Sequence, residues 1–142
     1  MRTIIVATDG SACADRAVDV AAGLAKSGGG SLLILTVGGN ASRDEVRAIA
    51  KAEGSAPEAL DLIVNRILVE ARKRATAIGL EAVSARAAWG DPAEMIIEVA
   101  RREQADAIVV GRRGRGQLAG FLLGSVSQKL VALAPCTVIV VP

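Results

Sequence analysis

The sequence predicts an α/β protein: an open, doubly wound, five-stranded parallel sheet in the order 3-2-1-4-5, with helices on both faces. Three observations predict it. Short apolar runs recur at 3–8, 31–37, 80–88, 107–110 and 137–141, the pattern of strands buried on both faces. Between them apolar residues recur at helical spacing, so strands and helices alternate and right-handed crossovers lay the strands parallel. The chain has 142 residues, 51 % of them apolar but only 1 % aromatic, so one domain (1–142) must fill thin layers with Ala, Val, Leu and Ile.

Thr3 to Thr8 is the first strand. It runs into Asp9-Gly10-Ser11, where Asp9 or Ser11 is placed to cap a helix. That helix turns Ala14, Ala17, Val18, Ala21, Leu24 and Ala25 inward, and Ser27-Gly28-Gly29-Gly30 stops it. The tetrad partly resembles the pyrophosphatase loop S-G-G-x-D-S. It lacks the Asp and follows a helix, so it reads as a connector. Ser31 to Val37 is the second strand. Residues 42–53 form a short surface helix, with Ser42 and Glu45 as a capping box. Pro57 opens a long helix with the stripe Leu60, Ile63, Val64, Ile67, Leu68, Ala71 and Ile78, ended by Gly79. Leu80 to Ala88 is a weaker strand. Asp91 as N-cap, Pro92 and Glu94 open the next helix, with Ala93, Ile96, Ile97 and Ala100 inward. Ala107 to Val110 is the fourth strand, Val126 to Ala134 a helix ended by Pro135, and Thr137 to Val141 the fifth strand.

Between the fourth strand and its helix lie five glycines in fifteen residues, Gly111 to Ser125. A strand, a glycine-rich loop and a helix N-terminus together make an anion site, because backbone N–H groups and the positive end of the helix dipole converge there. Glycine permits φ > 0 and lets a phosphate approach the backbone. Arg112, Arg113, Arg115 and Lys129 add positive charge, and no Asp or Glu follows Asp106, although the whole chain carries only +2. No glycine of this loop precedes a Lys, which excludes the Walker loop. Gly114-x-Gly116-x-x-Ala119 fits the loose dinucleotide fingerprint but lacks the acidic residue about 20 positions on. Gly111, Gly114, Gly124 and Ser125 fit a third pattern: G-x-x-G, nine residues, G-[S/T]. Topology converges on the same place. Ligands of doubly wound sheets bind at the carboxyl ends of the strands where the strand order reverses, here between the first strand, followed by Asp9, and the fourth, followed by Gly111.

Composition excludes several classes. Histidine is absent, which removes Ser-His-Asp and Cys-His catalysis and histidine-based zinc sites. Cys13 and Cys136 lack metal spacing and read as buried free thiols. The even charge and scarce aromatics exclude nucleic acid as a partner. No apolar run reaches the length of a membrane span, and the first residues read as a strand rather than a signal peptide. A cytoplasmic protein without membrane contact is expected.

The third pattern resembles the ATP-binding signature of the universal stress protein family. The resemblance extends over the chain: Ala7-Thr8-Asp9-Gly10-Ser11 is similar to the family's first-strand motif, Leu33-Ile34-Leu35-Thr36-Val37 to its second strand, and Gly90-Asp91-Pro92 to its third-helix opening. Ala7 stands where some ATP-binding members have Pro, and Thr36 where His is common. The resemblance implies an adenine nucleotide α-hydrolase-like fold and ATP with magnesium or manganese as ligand. It places Ala7, Thr8 and Asp9 at the nucleotide, with Asp9 at the ribose or the metal, and Val37 at adenine through its backbone. Gly111, Gly114, Gly124, Ser125 and Val126 would hold the phosphates, with Arg112 in the same set.

A nucleotide-binding regulatory protein is therefore expected, not an efficient enzyme, because Asp9 is the only carboxylate placed at the pocket and ATP hydrolysis needs a base that orients water. A phosphoryl-accepting receiver would need an acidic cluster beside Asp9, and an FMN-binding carrier would need aromatics. A nucleotide-free or cyclic-AMP-binding module on the same fold is the alternative. The fifth strand, Cys136 to Val141, is an uncharged apolar sheet edge, and pairing with a second copy would satisfy it. The resemblance implies the same homodimer. The competing expectation is that the 38–56 connection covers this edge.

Overall fold

The five apolar runs pair side by side in the order β3-β2-β1-β4-β5, all parallel. The chain runs β1 (Thr3–Ala7), α1 (Ala12–Ser27), β2 (Ser31–Gly38), α2 (Arg43–Glu53), α3 (Ala56–Ala77), β3 (Val83–Trp89), α4 (Pro92–Arg102), β4 (Ala107–Gly111), α5 (Ser125–Leu133), β5 (Thr137–Val141). The computed structural model describes residues 1–38, 43–114 and 123–142, the side chains of 43–46, 53 and 56 excepted.

Because successive strand side chains point to opposite faces, each central strand feeds two cores. Ile4 and Val6 of β1, Leu32 and Ile34 of β2 and Val109 of β4 join Ala17, Val18, Ala21 of α1 and Ala71, Ala75 of α3. Ile5, Leu33, Leu35, Ile108 and Val110 join Ile96 and Ile97 of α4 and Leu130 of α5. Ala17, Ala21, Ala22 and Ala25 of α1 are fully buried, which lets that helix lie close to the sheet. Leu24, expected inward, is 39 % exposed; the buried stripe runs through Ala14, Ala17, Val18, Ala21, Ala22 and Ala25, so Ala22 is buried and Leu24 lies at the stripe's edge.

Caps set the helix starts. The Ser11 Oγ accepts from Ala14 N at 3.2 Å, and Asp91 Oδ2 from Glu94 N at 3.1 Å. α3 is capped by Ser55, so Pro57 lies inside its first turn rather than opening it. Gly79 follows the helix at φ +92°, as a terminating glycine should. The third strand starts at Val83, later than expected, although Leu80 is buried. The Ser42 half of the expected capping box lies outside the described residues. α2 packs on α3, which itself lies on β2 and β3, so the described part of this connection lies at the other side of the sheet from β5. Asp106 Oδ2 ties the start of β1 to β4, accepting from Arg2 N at 2.6 Å and Thr3 N at 2.9 Å. Among the described residues no helix is long and apolar enough to cross a membrane.

Candidate functional site

β1 has β2 on one side and β4 on the other, and the chain leaves β1 toward α1 on one face but leaves β4 toward α5 on the other. The two exits diverge and leave a crevice at the carboxyl ends of the strands. A pocket of about 250 Å³ opens there. Leu35, Val37, Ile96 and Val110 line it with apolar surface, and Thr8, Asp9, Gly114 and Ser125 bring polar groups to it.

The β1 exit is built on buried hydrogen bonds. Thr8 N donates to Leu35 O at 2.9 Å, continuing the ladder one residue past β1. The Thr36 hydroxyl donates to Thr8 O at 2.6 Å, and Thr8 Oγ1 accepts from Gly10 N at 3.2 Å. Gly10 takes φ +79°, which turns the chain sharply into α1. Half-buried Asp9 does not cap α1. Its Oδ1 accepts from Ser11 N at 2.9 Å, while Ser11 serves as the cap.

The β4 exit ends at the start of α5. Gly124 is its N-cap at φ −70°, ψ 167°, with no side-chain hydrogen bond to the first turn and no acid in that turn. The helices α1, α3 and α4 each have both a side-chain cap and an acid there. An uncapped first turn leaves its N–H groups and the helix dipole directed at whatever faces them. Gly124 N donates to Arg112 O at 2.8 Å, closing the base of the loop. Buried Ser127 donates to Gly111 O at 2.8 Å and Arg112 O at 3.2 Å.

The three glycines meet different neighbours, and none is needed for its φ. None of Gly111, Gly114 and Gly124 has a positive φ. At Gly111 a Cβ would stand 2.9 Å from Cys13 Sγ and 3.0 Å from the Cys13 carbonyl carbon, so the missing Cβ accommodates α1. At Gly114 a Cβ would stand 2.5 Å from Asp9 Oδ2, so its absence lets the two limbs of the crevice meet. At Gly124 the nearest heavy atom among the described residues would be 3.5 Å away, an ordinary contact, so none of those residues demands glycine there.

Of the residues expected at the site, Ala7, Thr8, Asp9, Val37, Gly111, Gly114, Gly124, Ser125 and Val126 all line the pocket. Arg112 does not: its backbone is bonded to Val141 O and Gly124 N, its side chain is exposed, and Arg113 lines the pocket instead. Lys129 faces Asp91 at 3.8 Å, so part of its expected charge is offset. Arg115 and Gly116 lie outside the described residues. Sequence reasoning missed Ser127, although its spacing from Leu130 puts both on the buried side of α5. Leu35, Ile96 and Val110 were read as core; only the divergence of the two exits exposes them to a cavity.

The model of the universal stress protein family matches residues 1–142. The chain is 40 % identical over 144 residues to a universal stress protein of Thermus aquaticus, covering 99 % of this chain and 98 % of the relative. It is 34 % identical over 147 residues to one of Mycobacterium tuberculosis, covering 99 % and 95 %. Among solved structures it resembles a universal stress protein in complex with cAMP (34 % identity, TM-score 0.76, 99 % and 97 % covered). It shares its fold with the universal stress protein UspA from Lactobacillus plantarum (24 % identity, TM-score 0.81, 99 % and 97 % covered).

Proposed function

This chain belongs to the universal stress protein family, and on that premise we propose that it is an ATP-binding regulatory protein with at most slow ATP hydrolysis. The observation that carries the reading is the uncapped, acid-free N-terminus of α5 at the pocket, with a glycine at Gly124 that none of the described residues around it requires. A phosphate gives both features a reason: the first-turn N–H groups would donate to it, and the missing Cβ would admit it. Adenine would lie over the apolar lining near Val37, with the ribose toward Asp9. The glycine cradle and the open helix end fit a polyphosphate. Magnesium or manganese would neutralise phosphate charge. Among the described residues no group of three His, Cys, Asp or Glu side chains is clustered to hold a metal, so the ion would arrive with the nucleotide, and Asp9 is the carboxylate that would meet it.

Turnover is expected to be slow, because among the described residues no second carboxylate lines the pocket to orient a water, and the chain has no histidine. The second reading, cyclic AMP as ligand, is favoured by the 34 % identity to the cAMP complex. Pairing of two copies through the outer edge of β5 is part of the proposal. Among the described residues this strand has one neighbour, β4, and exposed Val131 and Leu133 on α5 add apolar surface.

Thermal melts and calorimetry with ATP-Mg, cyclic AMP and adenosine test the ligand. A ligand at 100 times its dissociation constant adds about 2.7 kcal/mol, roughly 5–10 °C for a domain of this size. No shift with any of them at millimolar concentration would end the nucleotide reading. A shift with cyclic AMP alone would move it to the second ligand. ATP turnover on the order of 1 per second would mark a catalyst instead.

A further inference from the structure

Among the described residues, three polar side chains are buried, Thr8, Thr36 and Ser127, and all three stand at the carboxyl end of the sheet beneath the pocket. Each hydrogen-bonds the backbone of a pocket loop. Ser127 is 2 % exposed and lies in the first turn of α5. A serine in a helix commonly bonds a carbonyl of its own preceding turn. Ser127 instead reaches out of the helix, sharing its proton between Gly111 O at 2.8 Å and Arg112 O at 3.2 Å. Alanine would fill this place with better helix propensity and no polar group to bury. The hydroxyl therefore has a consequence at the helix start. Together with the Gly124 N to Arg112 O bond, it fastens the end of β4 to the first turn of α5 at both sides of the glycine loop.

We infer that Ser127 is a positioning residue of the anion site: its hydroxyl holds the first turn of α5 so that the Ser125 and Val126 N–H groups stand ready for a phosphate. This rests on the nucleotide-binding reading. Without the clamp the turn keeps its sequence and its dipole but loses its fixed distance from Asp9. Preorganised donors lose affinity when they must be reordered on binding. The loss should fall on the phosphates alone, because adenine and ribose would lie toward Val37 and Asp9, whereas the Ser127 hydroxyl bonds the end of β4.

The test is calorimetry of ATP and adenosine with the unmodified protein, Ser127→Ala, and Val18→Ala, a destabilised control in the core on the opposite face. Ser127→Ala is expected to bind ATP about five-fold more weakly, the equivalent of one hydrogen bond, and adenosine within two-fold of normal. Val18→Ala is expected to melt lower with both affinities kept. If Ser127→Ala does not fold, Ser127→Cys, with its weak donor, is expected to show the same split. An unmodified protein that binds ATP while the Ser127 variants match it overturns this inference alone. Equal losses for ATP and adenosine make Ser127 merely structural and overturn it too. An unmodified protein that binds neither overturns the nucleotide reading and this inference with it.

Discussion

Replacing Gly124 with alanine separates what the fold needs from what a ligand needs. The backbone there, φ −70° and ψ 167°, suits any residue. The new Cβ would meet Arg112 O at 3.5 Å, Arg113 Cα at 3.6 Å and Gly114 N at 3.8 Å, all ordinary contacts. Two small effects on stability oppose each other. Restricting the unfolded chain gains about 0.4–1 kcal/mol, and alanine is a poorer N-cap than glycine by about 0.5–1 kcal/mol. The melting temperature should therefore stay within about 2 °C. Binding should not be so lightly affected. The methyl group lies on the approach to the first-turn N–H groups of α5, and losing one charge-assisted hydrogen bond to a phosphate costs about 1.5–3 kcal/mol. That corresponds to roughly 10- to 150-fold in the dissociation constant for ATP. Calorimetry with ATP-Mg, paired with a melt of the ligand-free variant, reads both quantities. An unchanged melt with an affinity within two-fold of normal would show that no phosphate sits at Gly124.

Gly111→Ala should behave in the opposite way, since its Cβ would press on Cys13 Sγ and on the α1 backbone at about 3.0 Å; a loss of about 1–3 kcal/mol is expected, and an unchanged melt would refute the close approach of α1. Asp106 predicts a pH dependence: the amides of Thr3 and Arg2 hold its carboxyl below the usual range. A depressed folded pKa contributes stability above the unfolded value, about 3.9, and loses it as pH falls through the folded value. The gap in melting temperature between the unmodified protein and Asp106→Asn should therefore be open near neutral pH and narrow as pH falls through the lowered carboxylate pKa, and a gap independent of pH would refute it. The proposed β5 pairing predicts a dimer by light scattering at micromolar concentration and a folded monomer for Val140→Lys. A monomeric parent protein would exclude the pairing, and a dimeric variant would place the interface on another surface.

Much of this architecture follows from local pattern. The apolar runs, the 3.6-residue stripes and the caps Ser11 and Asp91 are readable because each depends on neighbours within a few residues. The spacing of Gly111, Gly114, Gly124 and Ser125 marked the pocket for the same reason, and Asp9 followed from topology. What the residues touch is decided only by contacts between distant segments. Glycine reads alike at 111, 114 and 124, yet the crossing of α1 decides the first, the Asp9 carboxylate the second, and neither constrains the third. Leu24 fits the helical stripe, but it lies at the edge of the buried face of α1. Ser127 looks like an ordinary helical serine until β4 brings two carbonyls within reach of its hydroxyl. Periodicity specifies which face of an element turns inward. The distance between elements, and hence who touches whom across the crevice, is set by packing among residues more than ten positions apart, which a local pattern does not encode.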